Sequence, residues 1–235
     1  MLVHEGTSRN IGTDLRLGCT LAAMAGAINV TGFLSVGYYC ANMTGNLSAL
    51  ATSLTADGKL ALVSCLGLIG AFIGGGVAAT LLVNAGHRRG VHAVYACGIV
   101  LEGALLAGLG MLAELLPLEQ TAWMLAYGLS FLMGLQNATV THISGARVRT
   151  THMTGMLTDF GIELAQWLEH RHAGETLTRV RERLRLHGAI ILSFGLGGIG
   201  GVALYMRCGV MGLTLMGVTL IVLALPTVVR TMRQT

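Results

Sequence analysis

"RTTHMTGML" (residues 149–157) and "YCANMTGNL" (39–47) both carry Met-Thr-Gly ahead of a helix-compatible run, 110 positions apart. A shared tripeptide is cheap, but this match extends in both directions. Upstream, "AGAINVTGFL" (25–34) meets "MGLQNATVTH" (133–142), pairing Gly26 with Gly134 and Asn29 with Asn137. Downstream, "IGGGVAATLL" (73–82) meets "GIGGVALYM" (198–206), pairing Gly75 and Gly76 with Gly200 and Gly201. The offset drifts from 108 to 110 and then to 125, with the last jump assigned to extra residues in an arginine-rich connection at 169–187. Three matched elements in one order indicate an internal duplication: repeat one over 15–115 and repeat two over 119–230, within a single membrane domain covering 1–235.

The membrane assignment comes from composition. Only 11% of the residues are charged, 53% are hydrophobic, and the mean hydropathy is +0.69. Soluble domains carry about 25% charged residues, so this chain has too few to coat a globule of its size. Six apolar runs approach the roughly 20 residues needed to cross a bilayer. They lie at 17–36, 61–84, 93–113, 121–140, 188–206 and 209–228. The first is long for the apolar part of a cleavable signal peptide.

The net charge of +4 rests on arginine, with Lys59 the only lysine. Arginines at the ends of apolar runs report topology. Six spans with both termini cytoplasmic put Arg9, Arg16, Arg88, Arg89, Arg147, Arg149, the 171–185 arginines, Arg230 and Arg233 inside, leaving only Lys59 and Arg207 outside. That is the arrangement of a multi-pass protein of a bacterial inner membrane. No basic stripe with interleaved aromatics is present, which excludes a nucleic-acid partner. The five cysteines form no C-x-x-C pair and read as small buried hydrophobes.

Two segments, 37–60 and 141–168, are too apolar for solvated loops and too short and polar for spans, and each holds one Met-Thr-Gly. With three spans per repeat the halves are inverted, the architecture of many secondary transporters. The expected fold is therefore all-α: six transmembrane helices as two inverted 3+3 repeats, each with a broken or re-entrant half-helix. Thr44 and Thr154 are expected as N-caps of these half-helices, and the glycines after them, Gly45 and Gly155, as points of close approach. Two half-helix N-termini meeting near the midplane would offer free N–H groups and positive dipole ends to an anion or a hydrogen-bond acceptor.

The candidate substrate-binding residues are Thr44, Gly45, Asn46, Thr154, Gly155, Asn29, Asn137, Gln136 and His152. Each has a second reading: the motif could serve only as a helix cap, and the amides only as interhelical glue. Met43 and Met153 read as packing. Glu102 lies mid-span in "IVLEGALLAGLG" (99–110), where a carboxyl must be protonated, paired or wet. With Asp159 and Glu163, four apart on the second half-helix, it is a candidate for ion or proton coupling. These carboxylates could equally be structural, Asp159 complementing the dipole and Glu102 bonded to a neighbouring helix. Arg149 stands where the first copy has Tyr39, and it reads more readily as snorkelling to the surface than as meeting an anion.

No sequence pattern supplies a metal cage, a catalytic nucleophile or a cofactor site: H-E-x-x-H, G-x-S-x-G and a phosphate loop are all missing. The Gly/Asn pattern of the first span, "NMTGNL", "GLQNA" and "VRTTHMTGMLTDFG" resembles the YoaK-like family of small multi-pass bacterial membrane proteins. The resemblance covers most of the chain and implies a six-span inner-membrane protein. That family is catalogued as a domain of unknown function, so the resemblance implies no substrate and no catalytic residue.

The expected function is a secondary transporter or facilitator of a small polar, perhaps anionic, solute or ion, working in the lipid bilayer. A membrane channel is the alternative. An enzyme using His152 and Asp159 as an acid–base pair lacks a nucleophile, and a non-transporting scaffold lacks a large extramembrane domain. A protomer this small favours a homodimer.

Overall fold

A computed structural model describes residues 11–55, 59–91, 93–169 and 174–232. Among them are eight helices and no strand: α1 (Ile11–Val36), α2 (Met43–Thr55), α3 (Lys59–Arg88), α4 (Val94–Leu115), α5 (Leu118–Ser144), α6 (Met153–Glu169), α7 (Gly174–Cys208) and α8 (Met211–Met232). Five of them, α1, α3, α4, α7 and α8, are long and apolar enough to cross a membrane. The remaining expected run, 121–140, falls within α5, whose polar residues dilute its hydropathy. Among these Gln136, Thr139 and Ser130 are buried against other helices, so α5 is central to the bundle rather than lipid-facing.

Local signals set the ends. Gly90 (φ 68°) turns α3 into α4 and Gly209 (φ 58°) turns α7 into α8, both in the left-handed region that glycine enters without penalty. Pro117 caps the start of α5, where its missing N–H costs nothing. The expected connection at 169–187 is largely helix instead, because α7 begins at Gly174. Arginine is a good helix former, so Arg179, Arg181, Arg183 and Arg185 extend the helix past its apolar part.

Packing follows a simple rule. α1 lies along α7, α3 lies along α5, and α4 crosses α8; α2 packs on α3 as α6 packs on α7. Exchanging α1–α4 with α5–α8 maps this set of partners onto itself. The glycines show how close the approaches are. A Cβ at Gly26 would overlap the carbonyl oxygen of Phe194, and one at Gly197 that of Ala23. On the other side a Cβ at Gly134 would overlap the oxygen of Phe72, and one at Gly75 that of Phe131. On α4 and α8, Gly103 and Gly217 each face the other's carbonyl.

These contacts correct the downstream register. Phe72 matches Phe194 and Gly75 matches Gly197, so the glycine matched to Gly75 lies three residues before Gly200. The contacts also fix direction. Ala23 meets Gly197 and Ala27 meets Gly201, so α1 and α7 run parallel, whereas Gly32 meets Leu129 and Gly18 meets Val148, just past the end of α5, so α1 and α5 run antiparallel. The sequence-matched helices α1 and α5 thus point in opposite directions.

Candidate functional site

α1 and α5 end at matched glycines in the left-handed region, Gly37 (φ 78°) and Gly145 (φ 59°). The chain then breaks for 38–42 in the first copy and 146–152 in the second before α2 and α6 begin at Met43 and Met153. The two additional residues in the second break account for the change of offset from 108 to 110.

The caps differ from expectation. Asn42 precedes α2, and its Oδ1 accepts the N–H of Gly45 at 3.1 Å, the ordinary N-cap bond to the third helical residue. Thr44 is already inside the helix, as is Thr154. His152 occupies the cap position of α6, with its carbonyl accepting the Met156 N–H at 3.1 Å. The glycines also acquire a different role. A Cβ on Gly45 would press on the Asn42 amide, and one on Gly155 on the His152 ring. Their close approach is to their own cap, with no foreign backbone involved.

Each break is held from the preceding helix by an asparagine. Asn29 Oδ1 accepts the N–H of Ala41 at 2.9 Å. Asn137 Nδ2 donates to Thr151 Oγ1, and Asn137 Oδ1 accepts from Thr150 Oγ1 at 3.4 Å. Arg147 braces the second break further, donating to the Ser144 carbonyl at 3.2 Å and pairing with Asp14 at 3.0 Å.

Between the starts of α2 and α6 lies a cavity of about 500 Å³. Its lining is paired across the two copies: Asn29 with Asn137, Asn42 with His152, Thr44 with Thr154. Tyr39 and Arg149, Ala41 and Thr151, Met43 and Met153, and Phe72 and Phe194 complete the pairs, with Thr141 the one residue whose match is elsewhere. No carboxylate lines it. Burial follows the same pattern, identical position by position from 41–50 to 151–160. Four of the expected cavity residues are elsewhere. Gly45 lies under its cap; Asn46 is buried within α2, its amide 4.0 Å from the Met43 sulfur; Gln136 is buried on another face of α5; and Gly155 faces a second cavity.

That second cavity, of about 810 Å³, lies between α6 and α7 and shares Arg149 and His152 with the first. It holds Asp159 and Glu163 with Arg147, Arg179, Arg183 and Glu182. Glu163 meets His187 Nδ1 at 2.9 Å, a partner not foreseen from the sequence because it lies 24 residues away on another helix. Thr151, Phe72 and Phe194 were also missed as lining residues; the two phenylalanines become visible once the second half is aligned in its packed register. Glu102 is in neither cavity. Among the described residues no group of three His, Cys, Asp or Glu side chains could hold a metal ion.

An all-helical bundle whose helices are this apolar, five of them long enough to cross a bilayer, defines an integral membrane protein. The chain belongs to the family described as "Protein of unknown function (DUF1275)", whose model matches residues 17–226. It is similar to the UPF0700 transmembrane protein YoaK of Bacillus subtilis (strain 168), at 28% identity over 141 residues. That alignment covers 58% of this chain and 61% of the relative, less than two thirds of its length. No solved structure matches the chain.

Proposed function

We propose that the chain is a small carrier for a polar, anionic solute, built as two inverted repeats of three spans and one half-helix each. The observation that carries this reading is the cavity lined by seven matched residue pairs between two helix N-termini. Inverted repeats meeting at a midplane site are the basis of alternating access in secondary transporters. The antiparallel course of matched helices supports the inversion. Arg149, His152 and two helix starts, with no carboxylate in the lining, favour negative charge.

The site is thus symmetric in backbone and asymmetric in charge, since Arg149 and His152 stand opposite Tyr39 and Asn42. The second cavity, opening past the same two residues, serves as the vestibule on the arginine-rich side. We assign that side to the cytoplasm of a bacterial inner membrane, following the arginine bias.

Uptake of a pool of small metabolites into proteoliposomes tests the reading. Accumulation of one anionic solute by the wild type, lost in Thr154→Val and Arg149→Gln proteins that still elute as folded, is the expected result. Undiminished uptake in both variants overturns the site. Unitary currents in planar bilayers would replace the carrier with a channel.

A further inference from the structure

Three completely buried side chains outside both cavities hold polar atoms with no hydrogen-bond partner: Thr31 of α1, Glu102 of α4 and Gln136 of α5. Neither carboxylate oxygen of Glu102 and neither polar atom of the Gln136 amide has a hydrogen-bond partner. Interiors rarely leave such groups unmet, and each instance calls for a physical reason.

Helix register places Glu102 and Gln136 at one level. Gly98 of α4 lies against Thr139 of α5, and Gly128 of α5 lies against Leu109 of α4, so the two helices run antiparallel. Glu102 is one turn beyond Gly98, and Gln136 is three residues before Thr139 and seven after Leu129, which meets Gly32 of α1, so it stands on α5 between α4 and α1. The two residues therefore stand at one level along the α4–α5 seam. An ionised carboxylate buried there without a partner carries a desolvation penalty that nothing nearby offsets.

We propose that Glu102 and Gln136 form a buried proton-binding site, in which Glu102 carries an exchangeable proton and rotation of the side chains brings that proton to the Gln136 carbonyl oxygen. Binding takes the proton from water, and release returns it to water. The site supplies at most three oxygens, fewer than the six or more that hard metal cations gather, so the proton is the cation that fits. Among the described residues the charged groups of the neighbouring helices lie away from this level: on α1, Asp14 and Arg16 stand near its start, Asp14 paired with Arg147. On α5 the nearest titratable groups are His142, bonded to Thr80 at 3.1 Å, and Tyr127, both more than a turn away along the helix. On α8 the only charged residue among those described is Arg230, near its far end. On α3, Cys65 sits toward the opposite end, and His87 and Arg88 close the helix, His87 packing on Tyr95.

The position links this site to the cavity, and that link rests on the carrier reading. Gln136 and Asn137 are consecutive, one at the level of Glu102 and the other turned to the cavity and the second break. Movement of α5 when the proton leaves would shift Asn137 and the threonines it holds. The site has no twin, because Met216 of α8 occupies the place matching Glu102 when Gly103 is matched to Gly217.

Infrared spectroscopy of the purified full-length protein in lipid tests the site without any solute. The wild type is expected to show a protonated-carboxyl band at neutral pH, absent in Glu102→Gln, retained in Glu102→Asp and displaced in frequency in Gln136→Leu. A wild type without the band, or a band surviving in Glu102→Gln, overturns the proposal. Loss of the band on adding sodium at fixed pH overturns it in favour of a sodium site. For the coupling, Thr151→Cys in a cysteine-free background is labelled with a maleimide across a pH series. The pH dependence of the labelling rate, beyond that of a free thiol, should vanish in Glu102→Gln. Identical profiles with and without Glu102 overturn the link to the cavity while leaving the carrier reading intact.

Discussion

Asn29 and Asn137 occupy matched positions on α1 and α5, and each bonds the broken segment that follows its own helix, but through different atoms. Asn29 takes up a backbone N–H, that of Ala41. Asn137 meets two hydroxyls, those of Thr150 and Thr151. Replacing Asn29 by leucine leaves a half-buried backbone donor without its partner, at a cost of about 1 kcal/mol. Replacing Asn137 by leucine frees hydroxyls that can rotate to other acceptors, so a smaller loss is expected. Thermal unfolding in detergent should rank Asn29→Leu as the less stable. Equal losses would mean that the two bonds are interchangeable.

The caps give a second prediction. Asn42→Ala removes the bond to the Gly45 N–H and should cost about 1 kcal/mol. Gly45→Ala should cost a similar amount, because the added methyl displaces the same amide. The double variant should lose little more than either single one, since both act on one contact. Full additivity in this cycle would show that Gly45 answers to something other than its cap.

The helix contacts predict a sharp division among glycines. Gly26, Gly75, Gly134 and Gly197 sit against backbone carbonyls of a neighbouring helix, whereas Gly70, Gly195 and Gly200 have no neighbour within 4 Å. Alanine at any of the first four must push two helices apart, with a loss of about 1–3 kcal/mol. Alanine at Gly70, Gly195 or Gly200 should be neutral or mildly stabilising, by up to about 1 kcal/mol, through helix propensity. Melting temperatures of the seven single variants provide the comparison.

How far the sequence could be read depended on what each feature needs. The six apolar runs and both breaks were legible, because composition and Met-Thr-Gly are local signals. The pairing of Asn29 with Asn137 followed from repetition alone. The register of α3 against α7 was not recoverable, because "GGVA" in the two helices offers a longer identical string than the packed match of Phe72 and Gly75 with Phe194 and Gly197. The caps were misplaced by two residues, a displacement ordinary for helix ends, and it moved the capping role from Thr44 to Asn42. The burial of Glu102 was expected from its depth. That Gln136 is fully buried, turned from the cavity its neighbour Asn137 lines, depends on helix rotation that no single residue reveals.

Cysteine reactivity offers a last prediction, bearing on both the fold and its orientation. Cys40 and Cys65 are buried, whereas Cys208 is exposed at the end of α7. The sequence had grouped all five as buried hydrophobes, and Cys208 departs from that because it closes its helix beside Gly209. A maleimide should therefore modify Cys208 quickly in the folded protein and leave Cys40 and Cys65 untouched until denaturation. Orientation enters when the reagent cannot cross the membrane. On the inverted-repeat reading α7 starts inside with its arginines and ends outside, so Cys208 should react from the external face of right-side-out vesicles. An Arg88→Cys variant, at the inner end of α3, should react only after permeabilisation. Protection of Cys208 in intact right-side-out vesicles, with labelling on opening them, would reverse the assigned orientation while leaving the antiparallel relation of α1 and α5 in place.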